Sequence, residues 1–411
     1  MMARSIKVRT GMMFGIFLAT FAYVGVQAAD EGTLPVPSDR AIGLAQSSII
    51  VDGHVDFPSQ LLESGVDPIN NDGATNFDFD RAIRAGFNAP FMSIYVSSHF
   101  EDTGGAKARA DILIGVMEGL TQQYPDKFSI STSVKEVRKA AKAGKVSFAL
   151  GMENGSPIEG DLENLHHFYD RGVRYITLAH SKANHISDSS YDDDKRWGGL
   201  SPFGRILVRE MNDLGVIVDV SHISDDAFFD VVGISKAPVI ASHSGARHFT
   251  PGFERNMTDD MIKRLAENSG VIMINFGTHF LTKDGSGRRL GRDQAYVDYL
   301  AERGLSDTAL VYSEFRKWFD VNVAVPFADV SDVVDHIDYV RDLVGIDYVG
   351  LGSDFDGVGD TLPTGLKDVS GLPVLIQEMI DRGYSDKEIR KVLGENALRV
   401  WSAVEKIADN N

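Results

Sequence analysis

Eight short apolar runs, rich in β-branched residues, recur along this chain with longer amphipathic stretches between them. Each run breaks off at a polar residue. Ser48-Ile49-Ile50-Val51 leads into Asp52-Gly53-His54-Val55-Asp56, and Pro90 to Val96 leads into Ser97. Val146 to Leu150 is followed by Gly151-Met152-Glu153, and Arg174 to Leu178 by Ala179-His180. Val216 to Val220 ends in Ser221-His222, and Val239-Ile240-Ala241 in Ser242-His243. Val271 to Ile274 stops at Asn275, and Tyr348 to Leu351 at Gly352-Ser353-Asp354. The intervening stretches read as helices: Ala106 to Tyr124, Val134 to Ala143, Leu162 to Arg171, Pro202 to Leu214, Asp225 to Val232 and Thr258 to Asn268. Strand and helix alternating eight times predicts an α/β fold, the parallel (β/α)8 TIM-type barrel. At 411 residues the chain is long for one domain, but such a barrel with insertions reaches that length around a single core. The extra length falls at about 277–329, between the seventh and eighth strands, where Arg292 to Arg303 and Thr308 to Phe319 look helical. Ser385 to Ala408 is expected to close the chain as a helix pair.

The first 29 residues stand apart. Arg4, Lys7 and Arg9 precede a mostly apolar stretch from Met12 to Val26, and the small residues Ala28 and Ala29 follow. This is the pattern of a secretory signal peptide cut after Ala28 or Ala29. As a membrane span the stretch is short and is interrupted by Gly15, Thr20 and Gly25. The expected mature protein, 30–411, is therefore an exported single catalytic domain with no anchor left after cleavage, periplasmic rather than released from the cell. Removing the three basic residues takes the formal charge from −18 to −21, and an acidic sum of this size argues against a nucleic-acid binder, which needs a concentrated basic face. There is no cysteine, so a disulfide scaffold and a thiolate metal site are both excluded.

Active sites of such barrels lie at the carboxyl ends of the strands. Here those ends carry His54 and Asp56, Glu153, His180, His222, His243 and Asp354. His54 and Asp56 at i and i+2 would leave a strand on the same side and form a clip for a divalent ion. Imidazole and carboxylate without thiolate suit zinc ahead of manganese or cobalt. Five ligands (His54, Asp56, Glu153, His222, His243) are too many for one tetrahedral ion with an open position, and they fit two ions sharing one carboxylate. On the residues alone, Asp354 is either a ligand or a free base, and His180 either a ligand or an oxyanion donor. The remaining histidines, His99, His166, His167, His185, His248, His279 and His336, follow no strand-end rule and are expected on loop or helix surfaces.

Taken in order, several segments resemble the membrane dipeptidase (renal dipeptidase) family of zinc peptidases. They are Val51-Asp52-Gly53-His54-Val55-Asp56, Gly151-Met152-Glu153, Gly172 to Ser181, Gly199-Leu200-Ser201-Pro202-Phe203-Gly204 and Val218-Asp219-Val220-Ser221-His222. The likeness continues through Ala237 to Ser244, Arg255-Asn256, Gly350 to Val358 and Glu395 to Val400, and so covers nearly the whole mature chain. The resemblance implies two zinc ions per chain, with manganese or cobalt as substitutes, and a dipeptide substrate that can carry a D-residue at its carboxyl side. It implies that His54 and Asp56 hold one ion, His222 and His243 the other, and that Glu153 bridges them. His180 would polarise the scissile carbonyl, Arg255 would bind the free carboxylate of the substrate, and Asp354 would pass a proton from water to the leaving amine. It also implies a homodimer. The loops after Glu153 and His180 depart from the animal enzymes, the insertion is longer, and their cysteines and lipid-anchor tail are missing.

Two other readings compete. Another metal-dependent amidohydrolase acting on a cyclic amide or a lactone shares the barrel, but most such enzymes carry His-x-His after the first strand and a modified lysine as the bridge. An exported solute-binding protein would need two lobes and no metal cluster.

Overall fold

The computed structural model describes residues 34–306 and 308–410; the expected signal peptide lies outside them. Among the described residues nine strands occur: β1 (Ile50–Val55), β2 (Phe87–Tyr95), β3 (Phe128–Ile130), β4 (Val146–Glu153), β5 (Val173–Thr177), β6 (Ile217–Asp219), β7 (Ile240–Ser244), β8 (Val271–Ile274) and β9 (Val349–Leu351). Eight of them close a parallel barrel in the order β2-β1-β9-β8-β7-β6-β5-β4, with β4 returning to β2. These are the eight runs of the sequence, and the (β/α)8 barrel stands. β3 is the addition. It pairs with the first half of β4, Phe128 against Val146 through Ile130 against Phe148, while the second half of β4 pairs with β2.

Helices cover the outside of the barrel, and their ends are set by ordinary capping chemistry. The helix Pro202–Leu214 begins with the Ser201 hydroxyl accepting from the Gly204 amide, has proline in its first turn, and ends at Gly215 in the left-handed region. Thr258 and Ser224 cap the helices Asp259–Glu267 and Asp225–Ile234 in the same way. The predicted helix pair at the end of the chain is Asp386–Arg390 and Asn396–Ala408, joined by a π-turn over Lys391–Glu395.

Two apolar layers result. One lies between strands and helices. The other fills the barrel's lower interior, where Val51, Phe91, Tyr175, Ile217, Ile240 and Met273 meet Leu398, Trp401 and Val404 of the last helix. That helix plugs the amino-terminal end of the barrel, so the open mouth is at the carboxyl ends. Between β8 and β9 the helices Lys283–Arg303 and Ala309–Asn322 pack through their own small core of Tyr299, Phe315 and Phe319. No helix among the described residues is long and apolar enough to cross a membrane.

One of the spare histidines departs from the surface expectation. His336, on the helix Val330–Val344, is fully buried, accepts from the Ala246 amide through Nδ1 and donates through Nε2 to the Leu281 carbonyl. Its helix repeats apolar residues at Val330, Val333, Val334, Ile337 and Val340, and His336 stands on that inward face. Burial pushes its pKa down to about 4. The unfolded chain therefore binds a proton that the folded chain refuses. The associated stability is complete above pH 6.5 and drains away as pH falls toward about 4, roughly 3 kcal/mol in all. His336→Gln, which cannot titrate, is expected to lose less melting temperature than the wild type between about pH 7 and about pH 4.5. Equal losses would contradict this.

Candidate metal centre

The barrel's interior becomes polar near its mouth. Residues that alternate inward end in Ser93 (β2), Glu153 (β4), Thr177 (β5), Asp219 (β6) and Ser242 (β7), all buried. Strict alternation would leave His54 and His243 facing outward beside the inward Gly53 and Ser242. Register shifts between Asp52 and Val55 on β1, and between Ala241 and Ser244 on β7, fall at these two histidines. Such irregularities re-aim a side chain, and here the two imidazoles stack with centroids 3.9 Å apart. The clip at His54 and Asp56 is consequently not one strand face. β1 ends at Val55, and Asp56 occupies the N-cap of the helix Phe57–Ser64. The side chains still converge, with His54 Nε2 3.4 Å from Asp56 Oδ2.

Glu153 lies at the centre, with its two oxygens facing different partners. Oε2 is 3.3 Å from His54 Nε2 and accepts from Ser93 Oγ at 3.2 Å. Oε1 is 3.2 Å from His222 Nε2, 3.6 Å from His243 Nε2 and 3.4 Å from His180 Nε2. His222 Nε2 and His243 Nε2 point at one another across 2.8 Å. Burial depresses both of these imidazoles well below the ordinary histidine value, so both are neutral. Burial opposes charge on His54 as well, but Tyr175, Glu153 and Asp56 outweigh it and raise its pKa well above normal. This half of the cluster favours positive charge.

The outer partners fix which nitrogen is free. The Tyr175 hydroxyl donates to the Gly53 carbonyl at 3.1 Å and so is left to accept from His54 Nδ1 at 2.8 Å. Ser242 Oγ donates to Asp219 Oδ2 at 2.7 Å and accepts from His243 Nδ1, also at 2.7 Å. In both histidines Nδ1–H is committed to an oxygen and Nε2 faces Glu153, the orientation in which a neutral imidazole binds a metal through Nε2. Asp219 is held in turn by Thr177 Oγ1 and the amides of Ser221 and Ser242. Tyr175 crosses the barrel only because position 151 is glycine: a Cβ there would fall 2.0 Å from its ring.

A buried His54 Nε2 without a hydrogen-bond partner, three further imidazoles and two carboxylates form a donor set that fits divalent cations. Nitrogen and oxygen atoms within 4.8 Å of one another form overlapping groups, of which His54-Glu153-His243 and Glu153-His180-His222 share the central carboxylate. A third group, His54-Asp56-Asp354, brings in the last strand end. Asp354 accepts from Asn275 Nδ2 at 2.7 Å, and burial first, then Asp56 and Glu153, push it up to about 7 against the pull of His54. Gly357 lies against this edge: a Cβ there would be 2.2 Å from both Asp354 Oδ1 and Asp56 Oδ2. His222 and Asp354 both have positive φ, at 70° and 61°, conformations that non-glycine residues adopt at a cost of roughly 1–3 kcal/mol and keep mostly at functional sites.

Arg255 is placed differently from the others. It is 3 % exposed and does not line the cavity over the cluster. It donates through Nη1 to Ser244 Oγ at 2.6 Å and through Nη2 to the His243 carbonyl at 2.8 Å, while Nε has no partner. The cavity itself is about 800 Å³ and is walled by Tyr95, His180, Tyr191, Asp354 and the insertion. His279 is part of that wall, a second departure from the surface expectation, because the insertion folds over the mouth.

A polar, imidazole-rich cluster with a central carboxylate at the mouth of a parallel barrel defines a metal-dependent hydrolase. Residues 38–411 match the model of the membrane dipeptidase family, peptidase family M19, and the chain belongs to that family. It is a metallopeptidase that hydrolyses dipeptides. The fold is similar to that of the probable dipeptidase PvdM from Pseudomonas aeruginosa, with 28% identity over 90% of this chain and 98% of that one and a TM-score of 0.79. A metallopeptidase from Rhodobacter sphaeroides, solved with a phosphinate mimic of L-Ala-D-Ala, matches at 28% identity over 87% of this chain and 100% of that one, TM-score 0.72. A dipeptidase described as a metallopeptidase of family M19 matches at 29% identity over 87% and 99%, also with TM-score 0.72.

Proposed function

We propose that this dipeptidase works with two zinc ions, His54 and Asp56 holding one, His222 and His243 the other, and Glu153 both. The observation that carries this reading is the division of Glu153, with Oε2 turned to His54 and Oε1 to His222 and His243. Manganese or cobalt would be accepted by the same donors. When bound, such ions supply Lewis acidity, lowering the pKa of a water toward neutrality and polarising a carbonyl.

The chain's own groups supply the rest. His180 is kept neutral by burial and lies at the cavity wall, placed to stabilise the oxyanion as the peptide carbonyl is attacked. Asp354 takes the proton of the attacking water and delivers it to the leaving amine. Its raised pKa keeps it near the point of exchange, and a cation held by His54 and Asp56 beside it would favour the carboxylate that a base must be. Arg255 anchors the substrate's carboxylate, since Ser244 and His243 take only two of its five N–H donors and its Nε has no partner. Dipeptides with a D-residue at the carboxyl side are substrates, supported by the dipeptide mimic held by the Rhodobacter relative.

A panel of dipeptides with L- and D-residues at the carboxyl side, run beside cyclic imides and lactones, tests the substrate reading. The expected result is turnover of dipeptides of both kinds and none of the rings. Turnover of a ring substrate in preference to every dipeptide would overturn it. We place the enzyme in the periplasm as a homodimer. Amino-terminal sequencing of the chain from that compartment should begin at Ala29 or Asp30, and light scattering should give twice the chain mass.

A further inference from the structure

The cavity above the cluster sets carboxyl groups on one side against arginines on the other. On the β9 side stand Asp354, Asp356 and Asp360, and on the insertion side Arg288, Arg289, Arg292 and Arg316. Arg288 is engaged with the Val323 carbonyl and the Phe319 ring. Arg289 is different: its guanidinium lies 5.1 Å from the centroid of the Tyr191 ring, it makes no ion pair among the described residues, and it opens on the cavity. Tyr191 in turn lies with its ring 5.8 Å from that of His222. Arg289 thus stands one aromatic ring away from the metal ligands. The field of this wall is felt inside it, where burial first, then Arg289, Arg255, Arg292 and Arg288, push His279 down to about 3.

We propose that Arg289, seated on Tyr191, is a specificity residue that selects dipeptides with an acidic side chain on the carboxyl-terminal residue. This rests on the dipeptidase reading above. The carboxyl side, where Asp354 and Asp356 offer oxygens that an ammonium group would hold in the charged form, suits the substrate's amino end, so the carboxyl-terminal residue faces the arginines. Its main-chain carboxylate is assigned to Arg255, as above. A second negative group on the same residue then meets Arg289, and guanidinium–carboxylate pairing in a partly enclosed cavity is the recognition that arginine favours.

The test compares Ala-Ala, Ala-Glu, Ala-Asp and Ala-Lys as substrates of the metal-loaded wild type and of the Arg289→Ala and Arg289→Glu variants. The wild type is expected to prefer Ala-Glu or Ala-Asp over Ala-Ala by about tenfold in kcat/KM, mainly through KM. Arg289→Ala should abolish that preference while leaving Ala-Ala within about twofold, and Arg289→Glu should turn it toward Ala-Lys. No acidic preference in the wild type, or an equal loss on all four substrates in Arg289→Ala, overturns the proposal while Ala-Ala hydrolysis keeps the dipeptidase reading. Failure on every dipeptide overturns both.

Discussion

Glu153→Gln is expected to give a folded barrel that retains neither metal ion and hydrolyses dipeptides on the order of a thousandfold more slowly or worse. Both carboxylate oxygens are in use, one toward His54 and one toward His222 and His243. The amide replaces one acceptor by a donor and removes the charge that offsets the cations, yet keeps the volume of a fully enclosed side chain. Metal analysis after gel filtration and melting of the metal-free proteins separate the two effects. The variant should melt close to the metal-free wild type while binding no metal. A variant that keeps two ions and the wild-type rate would contradict the bridging role.

The second large effect is expected at Arg255. Arg255→Gln should lower kcat/KM on dipeptides with a free carboxylate on the order of a hundredfold and change the slow turnover of their amidated analogues little. The control matters because Arg255 also holds Ser244 Oγ and the His243 carbonyl. Loss of those bonds alone would disturb a metal ligand and lower both substrates together. Equal loss on acid and amide would therefore make Arg255 a positioning residue for His243 instead of a carboxylate anchor.

Much of the fold was legible because the barrel repeats one pattern. A β-branched run needs only four or five residues to announce itself, and most of the eight ran into a polar residue that lies in or beside the cluster. β3 escaped notice because it pairs outside the ring with only half of β4. In the site, residue types at strand ends pointed to His54, Glu153, His222 and His243, but the strand irregularities that turn His54 and His243 inward leave no mark in the sequence. The partners that fix their tautomers were not legible either. Tyr175 reaches His54 from across the barrel, 121 positions away in the chain. Ser242 and Asp219 stand on neighbouring strands, but their link to His243 depends on those two strands lying in register. Gly151 and Gly357 offered a faint signal: glycine beside a candidate ligand marks a place where another side chain comes close. The arginine wall and His279 depended on how an insertion packs, which periodicity does not encode.

A pair of metal ions bridged by Glu153 is expected to drive dipeptide hydrolysis. The most direct test is reconstitution of the metal-free protein with zinc, following bound metal and Ala-D-Ala hydrolysis in the same samples. Activity should be absent without metal, rise with loading and reach its maximum at two ions per chain. Full activity in the metal-free protein, or a maximum at one ion with a second never bound, would contradict it.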